Sequence, residues 1–150
     1  MINKIVNLGD SALYCDFGQE VNKEINSKVI KYFNSVRNSN IEGVTNVTPS
    51  YNKLIISFNL SITNFKKIKK EIEILNIDYE NKIFNKEIQI PVCCENSFSL
   101  DIKRLEKKLN LKREQILEKF FNKKYFCYMT GFIAGMPFLG DLDENMRANR

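Results

Sequence analysis

The chain has 150 residues, 43% hydrophobic and 27% charged, with a formal net charge of +5 and no histidine. That supports one ordinary domain or two small ones; no apolar run approaches the ~20 residues of a spanning helix, and the N-terminus lacks the pattern of a secretory leader, so a cytoplasmic protein with no membrane partner is expected. Ser-His-Asp and Cys-His catalysis are excluded, leaving acid–base chemistry to Asp, Glu, Lys, Tyr or Cys.

Ile5–Leu8 and Ala12–Phe17 read as short strands around the turn dipeptide Gly9-Asp10. Val21, Ile25, Val29, Phe33 and Val36 then recur at helical spacing, predicting a long amphipathic helix that ends in Asn38-Ser39-Asn40, ahead of Gly43. Val44–Val47 and Leu54–Phe58 form a second strand pair joined around Pro49-Ser50-Tyr51-Asn52. Ser61 is the candidate N-cap of another helix, whose apolar face is Phe65, Ile68, Ile72 and Leu75. The order β-β-α-β-β-α calls for one antiparallel sheet covered by two helices, a two-layer α+β domain over residues 1–84.

Glu87–Val92 alternates polar and apolar residues and reads as a half-buried strand, with Pro91 near an edge or end. Two short helices follow, with apolar faces Ile102, Leu105, Leu109 and Ile116, Leu117, Phe120. Tyr125–Met129 is expected to be a strand running into an irregular glycine-rich loop, Gly131–Gly140.

Cys15, Cys93, Cys94 and Cys127 show no CxxC spacing, so they are expected to be reduced, small buried residues, with no metal site. Basic residues are dense between Lys103 and Lys124. They alternate with Glu, Arg is sparse and no interleaved aromatics supply stacking platforms, which predicts solvated helix faces and no nucleic-acid partner.

The stretch richest in information is Gly131-Phe132-Ile133-Ala134-Gly135-Met136-Pro137-Phe138-Leu139-Gly140. Glycine admits positive φ and proline fixes φ, so the run specifies a particular backbone path. It is neither a Walker loop nor a dinucleotide fingerprint. Upstream stand Gly9-Asp10-Ser11-Ala12-Leu13 with Phe17-Gly18, then Gly43-Val44, Val47, Pro49-Ser50-Tyr51 and Leu54, then Ile90-Pro91-Val92 and Asp101. In order and spacing these resemble the family of 5-oxoprolinase B subunits, with its GDSAL-x(3)-FG, GV-x(2)-V-x-P-x-Y-x(2)-L, I-P-V and GF-x-PG-FPYLG-x-L patterns. That family was formerly labelled allophanate hydrolase subunit 1, a carboxyltransferase domain of subdomains C and D, and it also contains inhibitors of a sporulation histidine kinase. The chain departs from the pattern at Phe120, where the family usually has His, at Glu95-Asn96 and Leu100, and at Ala134-Gly135-Met136.

The resemblance implies that the α+β domain is followed, over residues 85–150, by the first part of a cyclophilin-like β-barrel. Family members continue past Arg150, so this second domain is expected to be incomplete, marginal or completed by another chain, leaving Phe126, Tyr128, Phe132 and Phe138 uncovered. The glycine run either turns a barrel corner, with Phe132 and Phe138 filling a core, or lines a cleft for a small acidic ligand or a partner protein. Arg150 aligns with a family Arg that can bind carboxylate or phosphate. The candidate binding residues are therefore Gly131, Phe132, Gly135, Pro137, Phe138, Gly140 and Arg150; no catalytic residue is singled out. Asp10 is assigned to holding its turn, Tyr51 to packing beside Pro49 and Asp101 to the dipole of a helix start.

As function, the resemblance implies a hydrolase component: a non-autonomous subunit of an ATP-dependent 5-oxoprolinase, acting with subunits A and C to open 5-oxoproline to glutamate. ATP would be engaged through the complex, because this chain has no nucleotide-binding motif. The alternatives are a kinase inhibitor, with a histidine kinase as partner, and an inactive truncated remnant.

Overall fold

Leu13, Cys15 and Phe17 are buried while Ala12, Tyr14 and Asp16 are half-exposed, the period of two expected of a strand with one covered face. The structure, a computed structural model, describes residues 1–78 and 86–149. It divides the chain into two compact units, Met1–Asn85 and Lys86–Arg150. The architecture is α+β, with antiparallel sheets in both units.

In the first unit β1 (Lys4–Asn7), β2 (Ala12–Asp16), β3 (Val44–Pro49) and β4 (Lys53–Phe58) form one sheet of order β1-β2-β4-β3. The register Leu13↔Ile56 and Cys15↔Leu54 puts the buried side chains of the two central strands on one face. There they join Val29, Tyr32 and Val36 of helix α1 (Lys23–Asn38) and Ile68 and Ile72 of α2 (Phe65–Ile74) in a single core. Phe17 and Tyr32 meet edge to face, ring centroids 5.2 Å apart.

Both helices are capped by an asparagine that lies later than expected: α1 starts after Val21, the first residue of its apolar spacing, and α2 starts at Phe65 as its apolar face requires but with its cap three residues after Ser61. Asn22 Oδ1 accepts from the Ile25 N–H at 2.9 Å, so Val21 lies outside α1 and is exposed. The cap of α2 is Asn64, whose Oδ1 accepts from Lys67 N at 3.1 Å, and not Ser61, whose N–H donates to Asn59 Oδ1 in the preceding turn. Leu75 follows α2 with extended backbone.

A polar clasp fixes one end of this sheet. Buried Asn26 donates to the carbonyls of Ser50 (3.3 Å) and Tyr51 (2.9 Å), and Asn52 donates to those of Gly18 (2.9 Å) and Glu20 (3.0 Å). Asp16 Oδ1 accepts from Gly18 N at 2.8 Å and from Lys53 Nζ at 2.6 Å. The β3–β4 turn is thus tied to the start of α1 by hydrogen bonds that satisfy buried polar groups. Asp10, by contrast, is exposed, and its neighbour Ser11 accepts through its carbonyl from Phe58 N.

The second unit contains α3 (Ile102–Leu109), α4 (Arg113–Phe121), β5 (Phe126–Thr130), β6 (Pro137–Gly140) and a 3-10 turn at Glu144–Met146. Asp101 occupies the cap position of α3, where its carboxylate meets Arg104 Nε at 3.1 Å instead of a backbone N–H. The Cys94 carbonyl accepts from the Arg113 guanidinium and from Ser99 Oγ (3.1 Å), pinning the segment before α3 to the start of α4.

Three expectations fail here. Glu87–Val92 forms no strand: Ile88, Ile90 and Val92 are exposed, because alternation creates a strand only where a partner supplies a ladder, and none does among the described residues. Tyr128 is covered, while Phe126 and Phe138 are half-buried. Of the cysteines only Cys15 is fully buried; Cys93 and Cys127 are exposed, Cys94 is half-buried, and none is in a disulfide. The buried apolar side chains described in this unit are Ile116, Tyr128 and Met146, a sparser core than the first unit's.

Candidate functional site

The glycine-rich run is half loop and half strand. Pro137–Gly140 is β6, paired antiparallel with β5 in the register Thr130↔Pro137, Met129↔Phe138, Cys127↔Leu139 and Phe126↔Gly140. The register shifts between Cys127 and Met129, which leaves Tyr128 as an extra, bulged residue. The sequence suggests an irregular loop throughout; the reason for the difference is that Pro137 stands in a two-stranded sheet, where its missing N–H costs no ladder bond on the open side.

Only Gly131–Met136 is irregular. Gly131 N donates to the Met136 carbonyl at 3.1 Å and Met136 N to the Ile133 carbonyl at 3.2 Å, closing a compact tip. Gly135 has φ +79° with open space around it, so it is glycine for its backbone angle and not for room. Phe132 also sits in the left-handed region, at φ +66°, a strained position for a bulky side chain. Its ring is 91% exposed, and Ile133 (61%) and Met136 (41%) stand exposed beside it in the tip. Phe132 therefore does not fill a core.

Gly140 is glycine for a different reason. A Cβ there would come within 2.3 Å of Tyr128 Cε2, so the bulged tyrosine ring lies directly against the β6 backbone. The Tyr128 hydroxyl donates to Asp141 Oδ1 at 2.9 Å, and burial followed by this hydrogen bond raises the phenol above its ordinary range. It is a neutral donor at physiological pH. Sequence reasoning misses Tyr128 and Asp141, since the pairing register that brings them together depends on a bulge.

Of the expected binding residues, the hairpin brings together Gly131, Phe132, Gly135, Pro137, Phe138 and Gly140. Arg150 lies outside the described residues. The hairpin tip presents apolar side chains and main-chain groups, an arrangement suited to contact. An open hollow of about 430 Å³ in the same unit is lined by Gln115, Glu118, Lys119, Asn122, Lys123 and Asp143. There Lys123 pairs with Asp143. Among the described residues no three His, Cys, Asp or Glu side chains are grouped to hold a metal ion, and no helix is long and apolar enough to cross a membrane.

The chain is similar to two curated proteins, each named as the B subunit of 5-oxoprolinase. The one from Bacillus subtilis is 26% identical over 159 residues, covering 98% of this chain and 66% of the relative. The one from Haemophilus influenzae is 24% identical over 147 residues, covering 97% and 68%. The chain thus spans about two thirds of the length of these relatives. Among solved structures, a crystal structure of TTHA0988 superimposes with a TM-score of 0.78 at 20% identity over 94% of this chain and 28% of that one, a likeness of fold. The pattern of the family described as carboxyltransferase domain, subdomain C and D, matches residues 3–150, and the chain belongs to that family.

Proposed function

We propose that this chain serves as the B subunit of an ATP-dependent 5-oxoprolinase, working with subunits A and C to open 5-oxoproline to glutamate. The observation that carries this reading is the likeness to two proteins so named along nearly the whole chain. The hairpin supports it. A lactam without ring strain opens at useful equilibrium only when coupled to ATP, which requires an activated intermediate shielded from water. A chain with no histidine and no phosphate-binding loop is poorly equipped to form that intermediate. The exposed Phe132, Ile133 and Met136, held at the end of a bulged hairpin, are equipped to close over a site assembled with other subunits.

The test is reconstitution with subunits A and C from the same genome. The chain alone should show no 5-oxoproline-dependent ATP hydrolysis; the mixture should co-purify and show it. Phe132→Ala should lower that rate at least tenfold without moving the melting temperature, since the side chain is exposed. Failure to co-purify or to restore hydrolysis overturns the reading. Inhibition of a sporulation histidine kinase by the chain alone would establish the regulatory alternative in its place.

A further inference from the structure

A groove runs between the C-terminal half of α1 and the edge strand β3. It has a volume of about 350 Å³; Phe33, Val36, Ile41, Val44 and Val47 supply apolar side chains to its lining, and Asn40, Thr45 and Asn46 supply polar ones. Arg37 stands at the same groove with its guanidinium carbon 5.3 Å from the centroid of the Phe33 ring. No carboxylate among the described residues forms an ion pair with it.

The groove opens beside a strand edge that has no partner among the described residues, because β3 is terminal in the order β1-β2-β4-β3. Sheet edges are usually blunted by lysines, prolines, bulges or short length. Here the irregularity between Val44 and Asn46 and the final Pro49 mark only the two ends of the strand, while Thr45, Asn46 and Thr48 are exposed and uncharged. The regular stretch from Asn46 to Pro49 offers a template roughly 13 Å long.

We propose that this edge takes up an extended segment of a partner protein in which apolar residues alternate with at least one Asp or Glu. The segment adds to β3 as a fifth strand, seats an apolar side chain in the groove beside Phe33 and Ile41, and pairs its carboxylate with Arg37. Main-chain pairing supplies affinity, and the groove with its guanidinium supplies the selection. A compact small molecule would leave the strand edge unused. A second copy of this chain fits less well, since β3 reads Val-Thr-Asn-Val-Thr-Pro, with no carboxylate, and self-pairing would bring two β3 edges and their like-charged Arg37 side chains together. The nearest acidic residue in sequence, Glu42, lies outside the strand.

This inference goes beyond the 5-oxoprolinase reading and stands without it. The probe is a phage-displayed random heptapeptide library, selected on the full chain. Enriched peptides should alternate apolar residues with Asp or Glu and should slow hydrogen exchange within Val44–Thr48 at the amides that bond neither β4 nor, as Val44 N does, the Ile41 carbonyl. They should bind the Arg37→Glu variant at least tenfold more weakly, although that variant, which loses the Phe33 contact and puts a negative charge in the last turn of α1, melts only slightly below the parent. Four outcomes overturn the proposal: no enrichment; enriched peptides that protect other amides; equal binding to Arg37→Glu; or protection of Val44–Thr48 that appears without peptide and grows with protein concentration, which would make a second copy the occupant.

Discussion

The Tyr128 ring lies against Gly140, so close that a Cβ at that glycine would fall 2.3 Å from Cε2, and its hydroxyl donates to Asp141 Oδ1 at 2.9 Å. One bulged residue thereby locks both the end of β6 and the turn after it. Gly140→Ala should destabilise the hairpin by roughly 1–3 kcal/mol, the range for forcing atoms into a packed site. Tyr128→Phe should cost about 1 kcal/mol through the lost hydrogen bond alone. Hydrogen exchange at Gly131 N, which donates across the tip to Met136, reports both. If Gly140→Ala leaves that amide as protected as before, the ring does not hold β6.

Asp16 predicts acid sensitivity in the first unit. The hydrogen bond from Lys53, then that from Gly18 N, holds its carboxyl below the ordinary range. A depressed folded pKa means that the contribution is fully present above the unfolded value, about 3.9, and disappears as pH falls through the lowered folded one. The paired side chains are partly exposed (18% for Lys53, 22% for Asp16), so screening keeps the effect near 1 kcal/mol, at about the top of the surface-pair range. Asp16→Asn should therefore lose about 1 kcal/mol at neutral pH and show a flatter decline in stability below about pH 4. Parallel curves for the parent and the variant would rule the carboxylate out as the cause.

Cys15 predicts the opposite limb. Burial pushes its thiol from 9.0 to about 12, so the folded state keeps the proton that the unfolded state releases. Its contribution is present below the unfolded value and is lost as pH rises through 9.0 towards 12, by about 1.4 kcal/mol per unit. Tyrosines and lysines titrate nearby, so the comparison is with Cys15→Ala, whose alkaline decline should be shallower. A disulfide reagent at neutral pH should label exposed Cys93 and Cys127 quickly, Cys94 more slowly, and Cys15 only on unfolding. Fast labelling of all four would contradict the burial of Cys15.

The first sheet and its helices were legible because each element carries its own local signal. Leu13-Tyr14-Cys15 and Leu54-Ile55-Ile56 lie in alternating buried and half-buried positions, and Val29, Tyr32, Val36, Ile68 and Ile72 fall at helical spacing. The helix starts were less legible, because Val21 and Ser61 each lie near an asparagine that is the better acceptor for the first free N–H groups. In the second unit the signals were non-local. Alternation at Ile88, Ile90 and Val92 is real, but no strand pairs with it among the described residues; Pro137–Gly140 looks like loop sequence, but β5 makes it a strand. The glycines of the candidate site were visible as such. What each one serves, φ at Gly135 and clearance for Tyr128 at Gly140, required the register of a bulged hairpin.

That contrast between the units leads to a difference in autonomy. The first unit joins Leu13, Cys15, Val29, Leu54, Ile56, Ile68 and Ile72, each at most 2% exposed, in one core, and clasps its sheet end with Asn26 and Asn52. In the second unit Phe98, Leu100, Phe121, Phe132 and Ile133 are each at least half exposed, around a core of few buried side chains. Buried apolar area is the main driving force of folding, and exposed apolar patches promote association. A fragment of residues 1–84 should therefore melt cooperatively and leave the dye ANS dark. A fragment of residues 85–150 should bind ANS or self-associate, with Gly131–Gly140 amides that exchange rapidly. A broad, non-cooperative melt for the first fragment would show that the boundary is misplaced. A monomeric, ANS-silent second fragment with protected hairpin amides would show that its apolar side chains find cover within residues 85–150, contrary to their exposure here.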